Sequence, residues 1–179
     1  MNMIACVSNN MCIGVNNDLL VHIKDDMRNF AFLTKRKIVV MGRNTYLSLP
    51  DKKPLKDRDN IIISKSMKEA PEGFKLYDCP QSFLATVKDY EGDNVFIIGG
   101  AQIYKEFLPV VDTIYLTWVC ANNVDLHMAD PNFNIHDKYT FFPDEIYNYD
   151  WSVIKNGEGI CFVKNYGLVK YYFLTLYKQ

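Results

Sequence analysis

Three short runs of this 179-residue chain are continuously apolar, and they constrain its fold more than any other feature. They are residues 38–41 (IVVM), 61–63 (III) and 95–98 (VFII), rich in β-branched side chains. A strand that faces water on one side alternates apolar and polar residues, whereas a continuously apolar strand is covered on both faces. The three runs therefore predict central strands of a sheet that is buried on both sides.

Other segments complete an alternation of strands and helices. With the flanks of the apolar runs included, the predicted strands are 2–8, 37–41, 60–64, 74–77, 94–98 and 112–119. The predicted helices are 25–35, 44–48, 81–89 and 101–108. This alternation is typical of an α/β domain with a mainly parallel sheet and right-handed crossovers.

The end of the chain has a different pattern. Residues 150–155 and 170–178 predict antiparallel strands at an edge of the sheet, with a loop between them that holds Gly157 and Gly159. Residues 121–139 are polar and irregular, which predicts a long surface loop.

Composition indicates an ordinary soluble domain. The net charge is −1 and the charged residues are intermixed, so there is no electrostatic footprint for nucleic acid or an anionic membrane. The N-terminal residues lack a basic leader and no window is apolar enough for a membrane span, so we expect a cytoplasmic protein. No linker-like segment divides the chain, and we expect residues 1–179 to form a single domain and a monomer.

No metal site is expected from the sequence. The cysteines include no C-x-x-C pair, and His127 and His136 are too far apart for a helical pair. The cysteine contexts are mostly apolar, so we expect buried, reduced thiols. The five are Cys6, Cys12, Cys79, Cys120 and Cys161.

Three predicted strands end in residues suited to a phosphorylated ligand. These residues are Gly99 and Gly100 after one strand, Gly42, Arg43, Asn44 and Thr45 after another, and Ser64 and Lys65 after the third. Glycines let backbone approach a ligand, helix starts offer N–H groups to anions, and Arg suits phosphate. Ligands of open α/β sheets bind at the carboxyl ends of strands. A phosphorylated cofactor is the favoured interpretation and plain tight turns are the alternative; without a G-x-G-x-x-G motif, a standard Rossmann fold is unsupported.

Two neighbouring acids stand where 19-LLVHIKDDMRNF-30 enters a predicted helix. Asp25 is the natural cap of that helix. Asp26 shares a helical face with Phe30 and Leu33 through i, i+4, i+7 spacing, so its carboxylate lies on an apolar face. An acid there is costly unless donors pair with it. Asp26 is therefore either a second acid favoured by the helix dipole or a ligand-binding group.

Several motifs occur in a characteristic order over nearly the whole chain. They are Ile4-Ala5, Ile13-Gly14, Asp26 with Phe30, 41-MGRNTY-46, Leu55 and Arg58 in 54-PLKDRDNIIIS-64, 98-IGGAQIYKEFLP-109, Thr117 in 115-YLTWV-119, and Phe142-Pro143. Together they resemble the dihydrofolate reductase family. The resemblance implies a three-layer α/β fold, with a mixed, mainly parallel eight-stranded sheet flanked by about four helices. It also implies reduction of 7,8-dihydrofolate to 5,6,7,8-tetrahydrofolate, with hydride transferred from NADPH to C6 and N5 protonated.

The resemblance gives the acid and the substrate-binding residues their roles. Asp26 would be catalytic: it would anchor the pterin through an exocyclic amine and a ring N–H, and promote protonation of N5. Thr117 would hydrogen-bond Asp26 directly or through water, and Arg58 would pair with the α-carboxylate of the glutamate tail. The implied substrate-binding positions are Ile4, Ala5, Cys6, Asp26, Met27, Phe30, Leu49, Leu55, Arg58, Ile98, Tyr104 and Thr117. Antifolates are plausible ligands of the same site.

The implied cofactor is NADPH. Its adenosine 2′-phosphate and pyrophosphate would meet Arg43, Thr45, Ser64, Lys65 and Gln102. In the family, the glycine pair that corresponds to Gly99-Gly100 is joined by a cis peptide. The implied cofactor-binding positions are Ala5, Ile13, Gly14, Leu19, Gly42, Arg43, Asn44, Thr45, Ser64, Lys65, Ile98, Gly99, Gly100, Ala101, Gln102, Ile103 and Tyr104.

The chain departs from the family pattern just before the catalytic helix. Residues 19–21 are Leu-Leu-Val where the family usually has Leu-Pro-Trp, and Lys24 stands where proline is common. The family's tryptophan holds an ordered water near the pterin, so its loss bears on proton delivery. We interpret His22 as a surface histidine rather than a proton donor. Tyr139 replaces an acid that is common before the Phe-Pro motif.

Two alternative functions are considered. The pyrimidine reductase of riboflavin synthesis shares the sheet and the Gly-Gly region, but its substrate has less use for Asp26 followed by Phe30 and for Arg58. A non-catalytic folate- or NADPH-binding protein is compatible with the missing Pro-Trp.

Overall fold

The computed structural model describes residues 1–87, 94–122, 126, 134, 138–163 and 166–179. The strands are β1 (Asn2–Ser8), β2 (Cys12–Val15), β3 (Asp18–Leu19), β4 (Ile38–Gly42), β5 (Asp59–Ile63), β6 (Phe74–Tyr77), β7 (Val95–Gly99), β8 (Thr113–Val119), β9 (Tyr139–Phe141), β10 (Trp151–Val163) and β11 (Gly167–Lys178). The helices are α1 (Lys24–Thr34), α2 (Arg43–Ser48), α3 (Pro80–Thr86) and α4 (Ala101–Phe107). Short 3₁₀ turns occur at Pro50–Lys52, Leu108–Val110 and Asp144–Asn148.

Eight strands form one mixed sheet in the order β10-β11-β8-β1-β7-β4-β5-β6. All neighbours from β8 to β6 are parallel, while β11 is antiparallel to β8 and β10 is antiparallel to β11. The predicted mainly parallel sheet with antiparallel edge strands is therefore confirmed. The apolar runs predicted to be central form β4, β5 and β7, and each has parallel neighbours on both sides.

Both faces of the sheet are packed, which explains the continuous apolar runs. Successive residues of a strand point to opposite faces. Val40 packs with Phe107 of α4 and Phe83 of α3 in one cluster, whereas Val39 packs toward Phe30 of α1 in another. Two helices cover each face, since α2 also contributes to the second cluster. The result is the predicted three-layer arrangement.

A second, three-stranded sheet in the order β3-β2-β9 was not predicted from the sequence. Its strands are only two to four residues long, too short to give a clear alternation. Phe142, which follows β9, is 1 % exposed, and its ring lies 4.9 Å from that of Tyr104. The small sheet therefore packs beside α4, where the long apolar strands end.

The predicted loop around Gly157 and Gly159 is wrong, because both residues lie inside β10. Gly159 is opposite Tyr171 and Gly157 is opposite Phe173 in the β10–β11 ladder. A Cβ at Gly159 would lie 2.2 Å from the Tyr171 hydroxyl oxygen. Gly159 thus makes room for an aromatic ring on the neighbouring strand and does not turn the chain.

Two other predicted segments have different ends in the structure. The third predicted helix, 81–89, spans Pro80–Thr86 in the structure, and residues 88 and 89 lie outside the described part of the chain. Most of the predicted loop 121–139 also lies outside the described residues, and its last residue, Tyr139, begins β9.

All five cysteines are free in the structure, but they are not all buried. Cys120 is exposed and Cys12 is buried, and the other three are intermediate. The expectation of uniform burial is wrong because Cys120 follows the last residue of β8, where the chain leaves the sheet. In the described ranges, we find no helix with the length and apolarity needed to cross a membrane.

The sheet–helix packing predicts a large stability difference between two phenylalanines. Phe107 is fully buried against Phe83, whereas Phe32 on α1 is 81 % exposed. We expect Phe107→Ala to lower the free energy of unfolding by about 3–5 kcal/mol. The matched Phe32→Ala should change it by no more than about 0.5 kcal/mol. Urea denaturation measures both, and similar losses in the two variants would contradict the packing described here.

Candidate active site

A cavity of about 460 Å³ lies where β1, β4 and β7 end, beside the β2–β3 hairpin. It contains most of the predicted cofactor-binding positions, namely Ile13, Gly14, Leu19, Gly42, Arg43, Asn44, Thr45, Ile98, Gly100, Ala101, Gln102, Ile103 and Tyr104. A cavity of this size at the carboxyl ends of strands is typical of a small-molecule site.

Four predicted cofactor positions do not line this cavity: Ala5, Ser64, Lys65 and Gly99. The Ser64 hydroxyl accepts hydrogen bonds from the backbone N–H groups of Ser66 and Met67, so it closes a local turn. Ser66 lines the cavity in its place.

Sequence reasoning missed six lining residues: Asn17, Asp18, Ser48, Ile63, Ser66 and Thr140. Three of them belong to the β2–β3 hairpin and β9, which were not predicted. Asn17 Nδ2 donates to the Asn44 carbonyl oxygen at 3.1 Å, which joins the hairpin to α2 across the cavity. The positive φ angles of Asn16 (49°) and Asn17 (67°) suit a two-residue hairpin, and Asn-Asn was the available sequence signal.

The glycines at the strand ends serve mainly to pack α4 against the sheet. A Cβ at Gly42 would lie 2.9 Å from Ile103 Cγ1, and a Cβ at Gly99 would lie 2.8 Å from the Tyr104 ring. Gly99 also has a φ of +101°, which glycine tolerates best. At Gly100 the nearest atom would be Thr45 Oγ1 at 3.6 Å. Only Gly100 of the three therefore presents unobstructed backbone, and its peptide bond with Gly99 is cis, as the resemblance implied.

Three polar residues of the cavity wall lie together at the start of α2, and one of them is a cation. Arg43 and Asn44 are exposed and Thr45 is half-buried. Gln102 on α4 donates its amide to Glu106 at 2.6 Å. The wall near Arg43 is therefore the part of the cavity best suited to an anionic group.

Among the residues that the structure describes, one acid is buried, beside the inner end of the cavity, which Cys6 and Tyr104 form. Asp26 on α1 is 7 % exposed, and Thr117 Oγ1 of β8 donates to its Oδ1 at 2.6 Å. Burial raises the pKa of Asp26, and the hydrogen bond from Thr117 opposes that shift by stabilising the ionised form. Because each carboxylate oxygen has two lone pairs, both oxygens can accept further hydrogen bonds.

Asp26 lies close to residues that line the cavity. Burial and then the charge of Asp26 raise the pKa values of the Cys6 thiol and the Tyr104 hydroxyl. Cys6 is the register partner of Thr117, and Tyr104 Oη donates to the Ile4 carbonyl oxygen at 2.8 Å. The inner end of the cavity and the acid are thus neighbours, and β1 lies between them.

An apolar group lies on the same face of the sheet as Asp26. Phe30, Leu49, Leu55 and Ile98 are partly buried around Ile4 and other residues of that face. The structure therefore brings together most of the predicted substrate-binding positions. Two apolar predicted positions belong to neither this group nor the cavity: Met27 is 40 % exposed, and Ala5 packs in the core cluster that contains Phe83 and Phe107.

Arg58 is oriented at the outer end of this apolar group. Its Nε donates to Thr34 Oγ1 at 2.8 Å, and its two terminal nitrogens donate to the carbonyl oxygens of Lys56 (2.8 Å) and Ala31 (3.3 Å). The guanidinium lies 5.7 Å from the centre of the Phe30 ring. Each terminal nitrogen carries two hydrogens, so these bonds leave one N–H on each for a carboxylate.

The predicted helix cap is wrong. Helix α1 begins at Lys24, its N-cap is Ile23, and no side chain caps it. The carboxylate of Asp25 instead accepts a hydrogen bond from Tyr171 on β11 and pairs with Arg28. The N-cap position falls on the apolar Ile23, which is 2 % exposed and has no side-chain group that could cap the helix.

The sequence also predicted that His22 is a surface histidine and that the chain has no metal site. The side chain of His22 is 68 % exposed and lies 3.8 Å from Asp18, in agreement with a surface histidine. Among the residues that the structure describes, no cluster of His, Cys, Asp or Glu is arranged to hold a metal ion; His127 and His136 lie outside them.

The fold and the site together define a class of protein: an α/β enzyme that places a nucleotide-sized cavity beside one buried acid. The dihydrofolate reductase family model matches residues 1–158. The chain is 37 % identical over 129 residues to the type 3 dihydrofolate reductase of Salmonella typhimurium, covering 72 % of this chain and 77 % of that one. It is 35 % identical over 150 residues to the dihydrofolate reductase of Ureaplasma parvum, covering 82 % and 94 %.

A solved structure has the same fold. Dihydrofolate reductase from Enterococcus faecalis, complexed with NADP(H) and RAB-propyl, superposes with a TM-score of 0.76 at 23 % identity, covering 99 % of this chain and 95 % of that one. The chain belongs to the dihydrofolate reductase family. It is an oxidoreductase that reduces 7,8-dihydrofolate to tetrahydrofolate with NADPH.

The buried acid predicts a pH-dependent stability difference. The folded protein binds the Asp26 proton more tightly than the unfolded chain, in which Asp has a pKa of about 3.9. The tighter proton binding stabilises the folded protein. Its contribution to the free energy of unfolding is complete at pH values below the unfolded pKa, and it is lost as pH rises through the raised pKa of the folded protein. Asp26→Asn can still accept the Thr117 hydrogen bond but has no such loss. We expect the variant to gain stability relative to the wild type as pH rises.

Urea denaturation of the two ligand-free proteins over a series of pH values measures this difference. A difference that does not change with pH, or that shrinks as pH rises, would contradict the burial effect on Asp26.

Proposed function

We propose that Asp26 is the catalytic group of this enzyme: it binds the pterin and assists protonation of N5. The observation that carries this proposal is the buried carboxylate, held at 2.6 Å by Thr117 beside the inner end of the cavity. Its two oxygens can accept the paired exocyclic amine and ring N–H of a pterin. Burial raises its pKa, so the carboxyl is closer than an exposed Asp to the pH range where it can hold or release a proton.

We propose that the cavity holds NADPH with its nicotinamide at the inner end. When bound, NADPH supplies the hydride. The fit is supported by the apolar wall of Ile13, Ile98 and Ile103 and by the open backbone at Gly100. At the outer end, Arg43 and Thr45 would bind phosphate oxygens. Lys65 is exposed next to the lining residue Ser66, so it can add charge without forming the wall.

The apolar group on the Asp26 face is proposed to hold the rest of the folate. Phe30, Leu49 and Leu55 would flank the p-aminobenzoyl ring, and Arg58 would pair with the α-carboxylate of the glutamate tail. This assignment is supported by the two N–H groups that the local bonds of Arg58 leave for a carboxylate. Antifolates that carry a pterin-like ring should bind the same acid.

We also propose that residues 1–179 act as one domain and as a cytoplasmic monomer. The support is that the last strand, β11, pairs with β8 in the main sheet, and that a single chain supplies both Asp26 and the cavity. Size-exclusion chromatography with light scattering tests the monomer.

Replacing the acid tests its catalytic role. We expect Asp26→Asn to lower kcat/KM for dihydrofolate by about 10²–10⁴-fold, because it removes both the pterin anchor and the proton-assisting group. The dissociation constant for NADPH should be unchanged. The assay is the dihydrofolate-dependent fall in NADPH absorbance, with the exposed Asp150→Asn as the matched control.

Full turnover by Asp26→Asn near neutral pH would overturn the assigned role. The family match and the relatives support dihydrofolate reduction over the two alternatives weighed from the sequence, the pyrimidine reductase of riboflavin synthesis and a non-catalytic binding protein.

The cofactor proposal predicts a change in cofactor preference. Arg43→Ala should raise KM for NADPH by about 10–100-fold, which is the effect of losing a charge-assisted hydrogen bond. We place the 2′-phosphate on Arg43, rather than the pyrophosphate that both cofactors carry, so KM for NADH, which lacks the 2′-phosphate, should change little. Arg36→Ala, at an exposed position outside the cavity, is the control. Equal losses with NADPH and NADH would mean that Arg43 does not read the 2′-phosphate.

A further inference from the structure

A tyrosine from the end of the chain holds the first turn of the catalytic helix. Tyr171 Oη on β11 donates to Asp25 Oδ2 on α1 at 2.7 Å, across 146 residues of sequence. Tyr171 is 2 % exposed, and burial together with the bond to Asp25 raises its pKa to about 12. The hydroxyl therefore keeps its proton and remains a donor at neutral pH.

The second partner of Asp25 is much weaker. Arg28 Nη1 lies 3.1 Å from Asp25 Oδ1, but the two side chains are 78 % and 54 % exposed. Exposed ion pairs of this kind contribute little because water screens them. Tyr171 is the buried partner, and it is the contact that ties Asp25 to the sheet.

Gly159 permits this contact. It lies opposite Tyr171 in the β10–β11 ladder, and any Cβ there would meet the hydroxyl oxygen at 2.2 Å. A side chain at this position would displace the hydroxyl from Asp25. Gly157, opposite Phe173, is different, because a Cβ there would meet the ring at an ordinary 3.6 Å.

The start of helix α1 is held by side-chain contacts with the sheet rather than by a cap. No side chain caps it, and Leu20 and Val21 stand where the family usually has Pro-Trp. Ile23 packs in the same cluster as Tyr171. Asp26 follows Asp25 directly, so a shift of this turn moves the Asp26 carboxylate relative to Thr117 and the cavity.

We propose that Tyr171 and Asp25 form a clamp that positions Asp26 for catalysis, with Gly159 providing the space. The clamp consists of the hydrogen bond from Tyr171 Oη to Asp25 Oδ2. Tyr171 and Asp25 are positioning residues and do not contact the pterin. This inference rests on the catalytic role proposed for Asp26.

The first test removes the donor. Tyr171→Phe should lower kcat/KM for dihydrofolate by about 5–20-fold, the effect of losing a hydrogen bond to a charged group that orients a catalytic residue. The dissociation constant for NADPH should stay within about twofold, because neither clamp residue lines the cofactor cavity. Tyr177→Phe, at an exposed position on the same strand, is the matched control and should behave as the wild type.

The second test breaks the clamp from the other side. Gly159→Ala should reproduce the loss seen with Tyr171→Phe, whereas Gly157→Ala should not. Asp25→Asn keeps an acceptor oxygen and should retain most of the activity, while Asp25→Ala should lose as much as Tyr171→Phe. The double variant Tyr171→Phe/Asp25→Ala should fall no further than either single variant, because both remove one interaction.

The outcomes separate positioning from simple stabilisation. A lower Tm in Tyr171→Phe with unchanged kcat/KM per folded molecule would overturn the clamp, as would additive losses in the double variant. An equal weakening of dihydrofolate and NADPH binding would overturn it too. If Asp26→Asn retains full turnover, the proposed role of Asp26 fails by itself, and that result is distinct from any result for Tyr171.

Discussion

The site depends on one carboxylate that is taken out of water and held by a single hydroxyl from another element. Asp26 is on α1 and Thr117 is on β8, so their hydrogen bond fixes the helix against the sheet beside the cavity. β8 pairs with β1, which places Cys6 and Ile4 between the acid and the cavity. The parallel order of the central strands therefore brings the acid and the cofactor cavity to the same region.

The burial of Asp26 suits the proposed function but lowers the stability of the ligand-free protein. A buried carboxyl favours its neutral form, and ionising it without a ligand costs free energy of folding. Thr117 offsets part of that cost, and a pterin with two N–H donors would offset more. In the proposed role, the acid is better matched to the complex than to the ligand-free protein. Such a mismatch is typical of groups selected for binding or catalysis rather than for stability.

The sequence predicted features that depend on local patterns and missed those that depend on distant contacts. Continuous apolar runs identified β4, β5 and β7 because burial on both faces leaves a direct pattern in each strand. The resemblance supplied the site residues, most of which gather around the cavity and Asp26. The β2–β3–β9 sheet was missed because its strands are too short for a pattern, and its lining residues were missed with it. Gly159 was predicted to be a loop residue because the group that requires a glycine there, the Tyr171 ring, lies on the neighbouring strand.

The same physical logic explains why two aspartates stand side by side at the start of α1. Adjacent residues of a helix point about 100° apart, so one acid can enter the core side while its neighbour faces another direction. Asp26 meets Thr117 and the apolar face, and Asp25 meets Tyr171 and Arg28. The helix dipole favours acids in the first turn, but it does not explain why the two acids face different strands. In the proposed clamp, Asp25 reaches β11 while Asp26 reaches β8, and a contact with the sheet on each side of the turn restrains rotation of the turn about the helix axis.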